Sequence, residues 1–435
     1  MSNSVLIIDD EPGILTTVAN VLTDEGFTTL QAANGDKGLA LFKEEQPDVV
    51  FLDIWLPDRD GLELLQELRD IDSRAPVIMI SGHGTVSTAV KAIRMGAFDY
   101  LEKPLSYEQV LVATQEALRH RAKRRKKAPT AEVRDRSDIA AEIVPPPILP
   151  IVRNGRKHQK TIKRPAVIYG LGLHSGKRTG MVLQPLPPNS GIHFLTLPAE
   201  KVIAAHINQV AETDYATTLS REGENIKTVE HLLSALHARG ITNLCVKVHG
   251  EIPVLDGSAL EFCKVIEEAG IEGQKVVRKE LVIDRPYEVG QGDKKLLLEP
   301  CDGFKISYQL RYPPPIGEQS FEFDMSSFEV YKEEIAPART FGFMKDLKMM
   351  AELGLGSGGR LDNFILVGED NVINTDLRFP DEFVRHKILD IVGDLYMLGF
   401  PVRGKVTARF TGHRDNIAIL REIQNQNQEV ASDDE

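Results

Sequence analysis

The stretch from Glu382 to Phe400 carries two side chains that could bind one metal ion. His386 and Asp390 are four residues apart in a segment whose apolar residues recur at helical spacing, so both are predicted to share one helix face. Asp394 lies one turn further along that face, where it could orient a histidine, and Lys387 places a charge beside the site. A solvated polar stripe on an amphipathic helix would have the same spacing, so this motif needs further ligands to indicate a metal site.

A second predicted helix, entered after Thr228, supplies the missing ligand type. Glu230 and His231 are adjacent in its first turn. Adjacent side chains on a helix diverge by about 100°, so with His231 on a metal ion Glu230 would lie beside it, as a general base acting on bound water. Two histidines and one aspartate with an open fourth position are typical of a catalytic zinc site.

Two more residues could complete a hydrolytic site. His413 follows the last predicted strand and could act as a general acid, with Asp394 favouring its imidazolium form. Thr340 could donate its hydroxyl to a developing oxyanion.

The first third of the chain alternates short apolar strands with helical patterns, which predicts a doubly wound, five-stranded parallel α/β sheet. Ligands bind at the carboxyl ends of such strands, where the sequence has Asp9, Asp10, Asp53, Ser81 and Lys103. Three carboxylates at one edge repel each other unless a divalent cation lies among them, and oxygen ligands favour Mg²⁺. The alternative is an incidental acidic edge on a flavodoxin-like sheet.

The segments IIDDE, FLDIWLPDRDGLELL, MISGHG and DYLEKP resemble the receiver domain of bacterial response regulators, over residues 1–118. The resemblance implies that Asp53 accepts a phosphoryl group from a histidine kinase. It also implies that Asp10 and Asp53 hold Mg²⁺ with Asp9 in the outer coordination shell, and that Ser81 and Lys103 bind the phosphoryl oxygens. Receiver domains often dimerise, so a receiver-mediated homodimer is a further expectation. Two structural features are implied as well: an inward-turning Tyr100 and a cis peptide bond before Pro104.

Composition limits the class of protein. The chain has 435 residues, 42% of them hydrophobic and 27% charged, which indicates a soluble protein of several domains. A net charge of -12 argues against nucleic acid as a partner. Widely spaced Cys245, Cys263 and Cys301 suit a reducing compartment. With neither a signal peptide nor an apolar run long enough to span a bilayer in the sequence, we expect a cytoplasmic protein without a transmembrane segment.

Residues 119–157 combine a charge run with prolines and are predicted to form a linker. The basic cluster 119–127 could bind nucleic acid or an anionic membrane, but a solvated helix end leading into the linker is the favoured interpretation. Neither a helix-turn-helix pattern nor a P-loop follows. Beyond the linker, strands followed by helices occur twice, which predicts two similar α+β halves, 158–275 and 276–425, with the zinc site at their interface and an acidic polar tail at 426–435.

The motifs TVEHLLSAL, ARTFGF, FVRHKILDIVGDLYMLG and TGH, with GLGLHSG and PVLDGSA, resemble the UDP-3-O-acyl-N-acetylglucosamine deacetylase (LpxC) family, zinc enzymes of lipid A biosynthesis in Gram-negative-type bacteria. The resemblance covers residues 158–425. It implies hydrolysis of the N-acetyl group of UDP-3-O-(3-hydroxyacyl)-N-acetylglucosamine, with release of acetate. The implied roles are Glu230 as base, His231, His386 and Asp390 as zinc ligands, His413 as acid oriented by Asp394, and Thr340 as oxyanion donor.

The same resemblance implies substrate contacts. Lys387 and Phe341 would contact the sugar nucleotide, and the segment around Gly359, with Leu361, would border the acyl passage. Leu361 stands where many members have phenylalanine, so acyl-chain length is not predicted. Typical members lack a receiver domain, which suggests regulation through Asp53. The alternative from another class is a two-component signalling protein whose deacetylase-like part is a non-catalytic sensor or binding module.

Overall fold

The computed structural model describes residues 3–82, 92–93, 95–103, 105, 107–126, 148–197 and 199–433. The chain divides into two compact units, residues 1–132 and 133–435. Pro104, most of the predicted linker (127–147) and the last two residues lie outside the described residues.

The first unit is built on a parallel sheet in the order β2-β1-β3-β4-β5. Strands β3 and β4 are buried at every position, because helices cover both faces of the sheet. Helices α1 and α4 contact each other, as do α2 and α3. The predicted doubly wound five-stranded sheet is therefore confirmed. The elements are β1 Ser4–Ile8, α1 Pro12–Asp24, β2 Thr28–Ala32, α2 Gly35–Glu45, β3 Val49–Asp53, α3 Gly61–Ile71, β4 Val77–Ser81, β5 Asp99–Glu102 and α4 Tyr107–Lys126.

The second unit begins with mixed sheets. One has the order β10-β9-β14-β8-β7, with β14 parallel to β9 and antiparallel to β8, and a small sheet joins β11, β12 and β13. Alternating burial along β8 indicates that one face packs on the core. The strands are β7 Ala166–Leu171, β8 Arg178–Pro185, β9 Ile192–Thr196, β10 Val202–Ala204, β11 Val210–Glu212, β12 Thr218–Arg221, β13 Glu224–Ile226 and β14 Leu244–Val248.

A seven-stranded sheet forms the other side of this unit. Its main path is β16-β17-β22-β15-β6, and β18 joins β22 and carries β19. Strands β20 and β21 pair separately. The bounds are β6 Val152–Ile162, β15 Ile271–Val282, β16 Tyr287–Gln291, β17 Lys294–Glu299, β18 Phe304–Arg311, β19 Glu318–Asp324, β20 Phe341–Phe343, β21 Ile365–Val367 and β22 Val402–Arg409.

Two helices at the centre of the second unit pack against each other with almost all their residues buried. These are α5 and α9, and Gly393 of α9 makes the close approach feasible: a Cβ there would lie 2.1 Å from the backbone oxygen of Glu230. The α+β architecture is confirmed. The helices are α5 Glu230–Arg239, α6 Leu260–Ala269, α7 Phe328–Glu334, α8 Leu347–Glu352, α9 Glu382–Asp394 and α10 His413–Asp433.

The structure differs from the predicted boundaries in three places. Strand β6 begins inside the predicted linker and pairs with β15. It therefore belongs to the seven-stranded sheet, although it precedes the strands of the first half in the chain. Helix α5 starts one residue later than expected, after Val229, while Thr228 has a left-handed φ of 60°. Helix α10 runs to Asp433 and so includes most of the predicted tail, near the start of which Asn427 is buried and donates a 3.0 Å hydrogen bond to the Tyr287 hydroxyl.

Within the described residues, every helix is too short or too polar to cross a bilayer.

Candidate active site

Three potential metal ligands from the two central helices meet in the core of the second unit. His231 comes from α5, and His386 and Asp390 come from α9; their ligand atoms all lie within 4.8 Å of one another. Nε2 of His386 lies 3.5 Å from Oδ1 of Asp390, and Nε2 of His231 lies 3.9 Å from the same oxygen. Among the described residues, neither this buried oxygen nor Nδ1 of His231 has a hydrogen-bond partner. Such an oxygen is costly unless a cation binds it, so the donor set fits a metal ion.

The protonation states of this cluster also suit a metal. Burial and the neighbouring His386 lower the pKa of His231 to about 3, and burial lowers the pKa of His386. Although burial favours the neutral acid, His386 and Lys387 hold the pKa of Asp390 well below its usual range. Neutral imidazoles and a carboxylate are the ligand forms that bind zinc. Nδ1 of His386 lies 3.1 Å from the backbone oxygen of Ala338, which turns Nε2 toward the cluster.

Glu230 is buried beside the cluster. Its Oε2 accepts a 3.1 Å hydrogen bond from the backbone N–H of Thr217. Burial raises the pKa of Glu230 to about 8, an effect that His413 partly offsets. A carboxylate with a raised pKa is a stronger base, suited to accepting a proton near neutral pH.

His413 lies on the other side of Asp390. Its Nε2 is 3.8 Å from Oδ2 of Asp390, and its Nδ1 donates a 2.7 Å hydrogen bond to Oδ2 of Asp394. Although burial favours the neutral imidazole, Asp394 and Asp390 raise the pKa of His413 to about 9. Asp394 is fixed by two more donors, Thr217 Oγ1 at 2.8 Å and Asn416 Nδ2 at 2.9 Å. The ring is therefore held as a proton donor.

A cavity of about 700 Å³ opens onto these groups. Its walls include Glu230, His231, His386, Asp390 and His413, the predicted oxyanion donor Thr340, and the predicted substrate residues Phe341, Gly359 and Lys387. The apolar part of the wall comes from Leu347, Met350, Leu353 and Phe364. Volume and composition suit a ligand with a polar head and an apolar chain.

Of the predicted substrate residues, Lys387, Phe341 and Gly359 line the cavity and Leu361 does not. The Lys387 ammonium lies 3.0 Å from Oδ2 of Asp390 and 5.6 Å from the centre of the Phe341 ring. Phe341 in turn meets the His386 ring edge to face at 6.1 Å. Leu361 is 72% exposed and is absent from the cavity walls, unlike Gly359 nearby.

The first unit carries a second ion-binding arrangement. Carboxylate oxygens of Asp9, Asp10 and Asp53 lie within 4.8 Å of one another at the carboxyl ends of β1 and β3. The Lys103 ammonium lies 2.9 Å from Asp9 and 2.7 Å from Asp53, and Ser81 is buried at the end of β4. Burial raises the pKa of Asp9 to about 6. Clustered carboxylates with an ammonium at one edge fit a divalent cation and a phosphoryl group.

Comparison with known proteins assigns both units. Residues 159–425 match the model of the UDP-3-O-acyl N-acetylglycosamine deacetylase (LpxC) family. The chain belongs to the LpxC family. The UDP-3-O-acyl-N-acetylglucosamine deacetylase of Myxococcus xanthus is 42% identical over 62% of this chain and 88% of its own length, and that of Thermodesulfovibrio yellowstonii is 41% identical over 61% and 91%.

The first unit is a receiver domain. Residues 5–115 match the response regulator receiver domain model. Similar solved structures include the receiver domain of NtrX from Brucella abortus, which is 44% identical, covers 26% of this chain and 98% of that chain, and has a TM-score of 0.26. A CheY-like receiver domain protein from Methanospirillum hungatei is 30% identical, covers 28% and 99%, and has a TM-score of 0.28.

Several residues of the two sites were not predicted from the sequence. Thr217 and Asn416 fix Asp394, and Glu11 lies 2.6 Å from Lys103 in the receiver domain. Thr217 sits beside a strand with no spacing pattern that marks it, whereas Asn416 is one turn into α10, three residues after His413, and could have been found as its neighbour. Thr228 was expected only to begin a helix; instead its hydroxyl donates to Glu251.

Proposed function

We propose that the LpxC-family unit is a zinc-dependent amidohydrolase. Its substrate would be UDP-3-O-(3-hydroxyacyl)-N-acetylglucosamine, from which it releases acetate in the committed step of lipid A biosynthesis. The observation that carries this proposal is that a buried base, Glu230, and a buried acid, His413, flank one cluster of neutral and anionic ligands at the end of the 700 Å³ cavity.

His231, His386 and Asp390 would hold the zinc ion, which when bound polarises a carbonyl group and acidifies water. Glu230 accepts the proton of the water molecule that attacks the acetamide carbon. Thr340 donates its hydroxyl to the oxygen on which negative charge develops. The proton on Nε2 of His413 goes to the nitrogen of the leaving sugar amine, because Nδ1 is occupied by Asp394. The carbon–nitrogen bond breaks, giving acetate and the free amine.

Substrate recognition divides between the two parts of the cavity. Lys387 and Phe341, which lie beside the proposed metal ligands, would contact the sugar nucleotide. The Lys387 ammonium suits its negative charge, and the Phe341 ring suits its flat groups. The apolar wall of Leu347, Met350 and Leu353 would take the acyl chain, with Gly359 at its border. Leu361, exposed outside these walls, is proposed as a contact of the chain's distal end.

For the receiver domain we propose phosphorylation of Asp53 by a histidine kinase, with Mg²⁺ held by Asp10 and Asp53 and with Asp9 in its outer coordination shell. Ser81 and Lys103 would bind the phosphoryl oxygens. The 2.7 Å contact between Lys103 and Asp53 supports this, because an ammonium there neutralises charge on the phosphoryl group. Phosphorylation would then regulate deacetylation.

The competing function is a two-component protein whose LpxC-family unit only senses a ligand. Binding would need the cavity but not a base with a raised pKa or an oriented proton donor. The presence of both Glu230 and His413 therefore favours catalysis.

The first experiment measures acetate release from the acylated sugar nucleotide. We expect turnover that is lost on thorough chelation, is restored by zinc, and is nearly absent in Glu230→Gln, which keeps the side-chain shape. Turnover that survives chelation would overturn the zinc assignment. Substrate binding without turnover in the zinc-loaded protein would favour the sensor.

A second experiment tests regulation. The same rate is measured with and without beryllofluoride, a phosphoryl mimic, in wild type and in Asp53→Ala. We expect a rate change in wild type only. Equal, nonzero rates in all samples would show that Asp53 does not control catalysis.

A further inference from the structure

A second cavity in the LpxC-family unit lies away from the proposed metal ligands. It has a volume of about 250 Å³ and is bounded by strands β6, β15 and β22 and by the segment that leads into α7. Its volume is below the 300–1,000 Å³ that is typical of sites for drug-sized ligands, so it suits a small solute. Its walls carry the cations Arg156, Lys157, Arg278 and Arg403, the anions Glu280 and Asp302, and His237.

The charge around this cavity is opposite to that of the whole chain. Strand β6 contains Arg153, Arg156, Lys157 and Lys160 and no acidic residue, in a protein with a net charge of -12. Two cations of the wall are already paired. Arg278 donates a 2.6 Å hydrogen bond to Glu280, and Arg403 donates one of 2.6 Å to Asp302. Arg156 and Lys157 are exposed and form no ion pair with the described residues.

Buried donors near the cavity lack acceptors. The Nε atom of Arg278 has no hydrogen-bond partner among the described residues, and neither does that of Arg239, whose guanidinium stacks on Phe328 at 4.5 Å. Burial, together with the positive charges of Arg239 and Arg278, lowers the pKa of Lys160. The acidic residues present therefore leave positive potential in this region uncompensated, and an anion would supply both the charge and the acceptors.

We propose that this cavity binds the phosphoryl group of a small phosphorylated solute. A guanidinium presents a planar fork of donors that matches phosphate oxygens, and Arg156, Arg278 and Arg403 bring three such forks to one small cavity. Lys157 adds a compact ammonium at the open side.

The cavity is also connected to the helices that carry the proposed catalytic groups. His237, in its wall, belongs to α5 and lies six residues beyond His231. Its Nδ1 donates a 2.7 Å hydrogen bond to the backbone oxygen of Val392 on α9, and its Nε2 accepts one of 3.4 Å from the N–H of Val402. An anion bound here would lie beside His237, whose hydrogen bond joins the two central helices. The anion is therefore a candidate effector of the active site.

The alternative explanation for the charges is protective. Strand β6 is an edge strand, and lysines and arginines on edge strands prevent pairing with another chain. That role needs charge on the exposed edge but no saturable site, so ligand titration distinguishes the two.

The test is calorimetric titration of the zinc-loaded full chain with inorganic phosphate. We expect saturable binding with a Kd of about 1 mM or tighter. Binding should weaken about tenfold or more in Arg156→Ser/Lys157→Ser, because this variant removes a guanidinium and an ammonium, both of which donate charge-assisted hydrogen bonds to phosphate. The matched control is Lys37→Ser/Lys43→Ser, which removes the same charge from exposed positions of the receiver domain and should bind like wild type. Arg278→Lys keeps the charge, removes a fork and should also weaken binding.

Absence of saturable binding would overturn the proposal, and so would equal weakening in the control variant. Sedimentation with vesicles separates a solute from a lipid headgroup. Binding to phosphatidylglycerol vesicles that is lost in Arg156→Ser/Lys157→Ser, without saturable binding of free phosphate, would reassign the surface to a membrane. These measurements do not depend on deacetylation, so they can succeed or fail independently of the proposed activity.

Discussion

Asp394 holds the imidazole of His413 through a 2.7 Å hydrogen bond to Nδ1, and this carboxylate is the main influence that opposes the effect of burial on the ring. The pKa of His413 is raised to about 9, so the ring stays protonated and able to act as an acid up to that pH. Activity that needs the imidazolium should be lost as pH rises through this pKa. In Asp394→Asn we expect the alkaline limb of the pH profile of kcat/KM to move to lower pH, with a lower maximum.

The control for this profile is Asp370→Asn, an exposed aspartate whose loss should leave the limb in place. An alkaline limb at the same pH in Asp394→Asn and wild type would show that His413 is not the group that titrates.

Thr217 links the proposed base to the proposed acid. Its backbone N–H donates to Glu230, and its hydroxyl donates to Asp394 at 2.8 Å. Thr217→Val keeps the shape and the backbone bond but leaves a buried carboxylate oxygen without this donor. We expect kcat to fall about tenfold to a hundredfold, from the loss of about 1.5–3 kcal/mol of hydrogen bonding to a charged group.

Thr217→Ser retains the hydroxyl and should recover most of the rate lost in the valine variant. A positioning role further predicts that the fall appears in kcat more than in KM. Equal activity of the valine and serine variants would rule out a role for the hydroxyl.

The sequence was most informative where structure is local. The apolar runs that became β1, β3 and β4 predicted the buried parallel sheet, and the spacing of His386, Asp390 and Asp394 predicted their common helix face. In both cases the signal is a periodicity that one element imposes on its own residues.

Contacts between distant segments were not predictable in this way. Thr217 and Asp394 are 177 residues apart, and no pattern in either segment indicates the other. The start of strand β6 was assigned to the linker because it directly follows a basic run and a stretch of prolines. Its pairing partner begins at Ile271, close to the end of the predicted first half. The proximity of His231 and His386 was predicted only because the order of strands and helices occurs twice and because the motifs resemble a known family.

Glu382 and Arg339 form a buried ion pair at the start of α9, with Nε of Arg339 2.8 Å from Oε1 of Glu382. Glu382 also accepts hydrogen bonds from the backbone N–H groups of Arg339 and Arg378. Glu382→Ala would leave the guanidinium buried without its anion. We expect the free energy of unfolding to fall by about 3–5 kcal/mol, with impaired activity because Arg339 precedes Thr340.

Circular dichroism during urea unfolding measures this change, since the only tryptophan lies in the receiver domain. A double variant, Arg339→Met with Glu382→Met, should be less destabilised than Glu382→Ala, because no buried charge then remains unpaired. A loss below about 1 kcal/mol in Glu382→Ala would place the pair among weak surface-type interactions.

Trp55, the single tryptophan of the chain, reports on the proposed phosphorylation site. Its backbone N–H donates a 3.2 Å hydrogen bond to Oδ1 of Asp53, and its side chain is 63% exposed. An acceptor group on Asp53 would compete for this hydrogen bond and shift the loop, so the surroundings of the indole should change. We expect the fluorescence of Trp55 to respond to Mg²⁺ and, further, to beryllofluoride.

Asp53→Asn keeps the side-chain size and should respond to neither, whereas Asp36→Asn, an exposed aspartate on α2, should behave like wild type. A beryllofluoride response that persists in Asp53→Asn would locate the binding elsewhere and remove the basis for regulation through this residue.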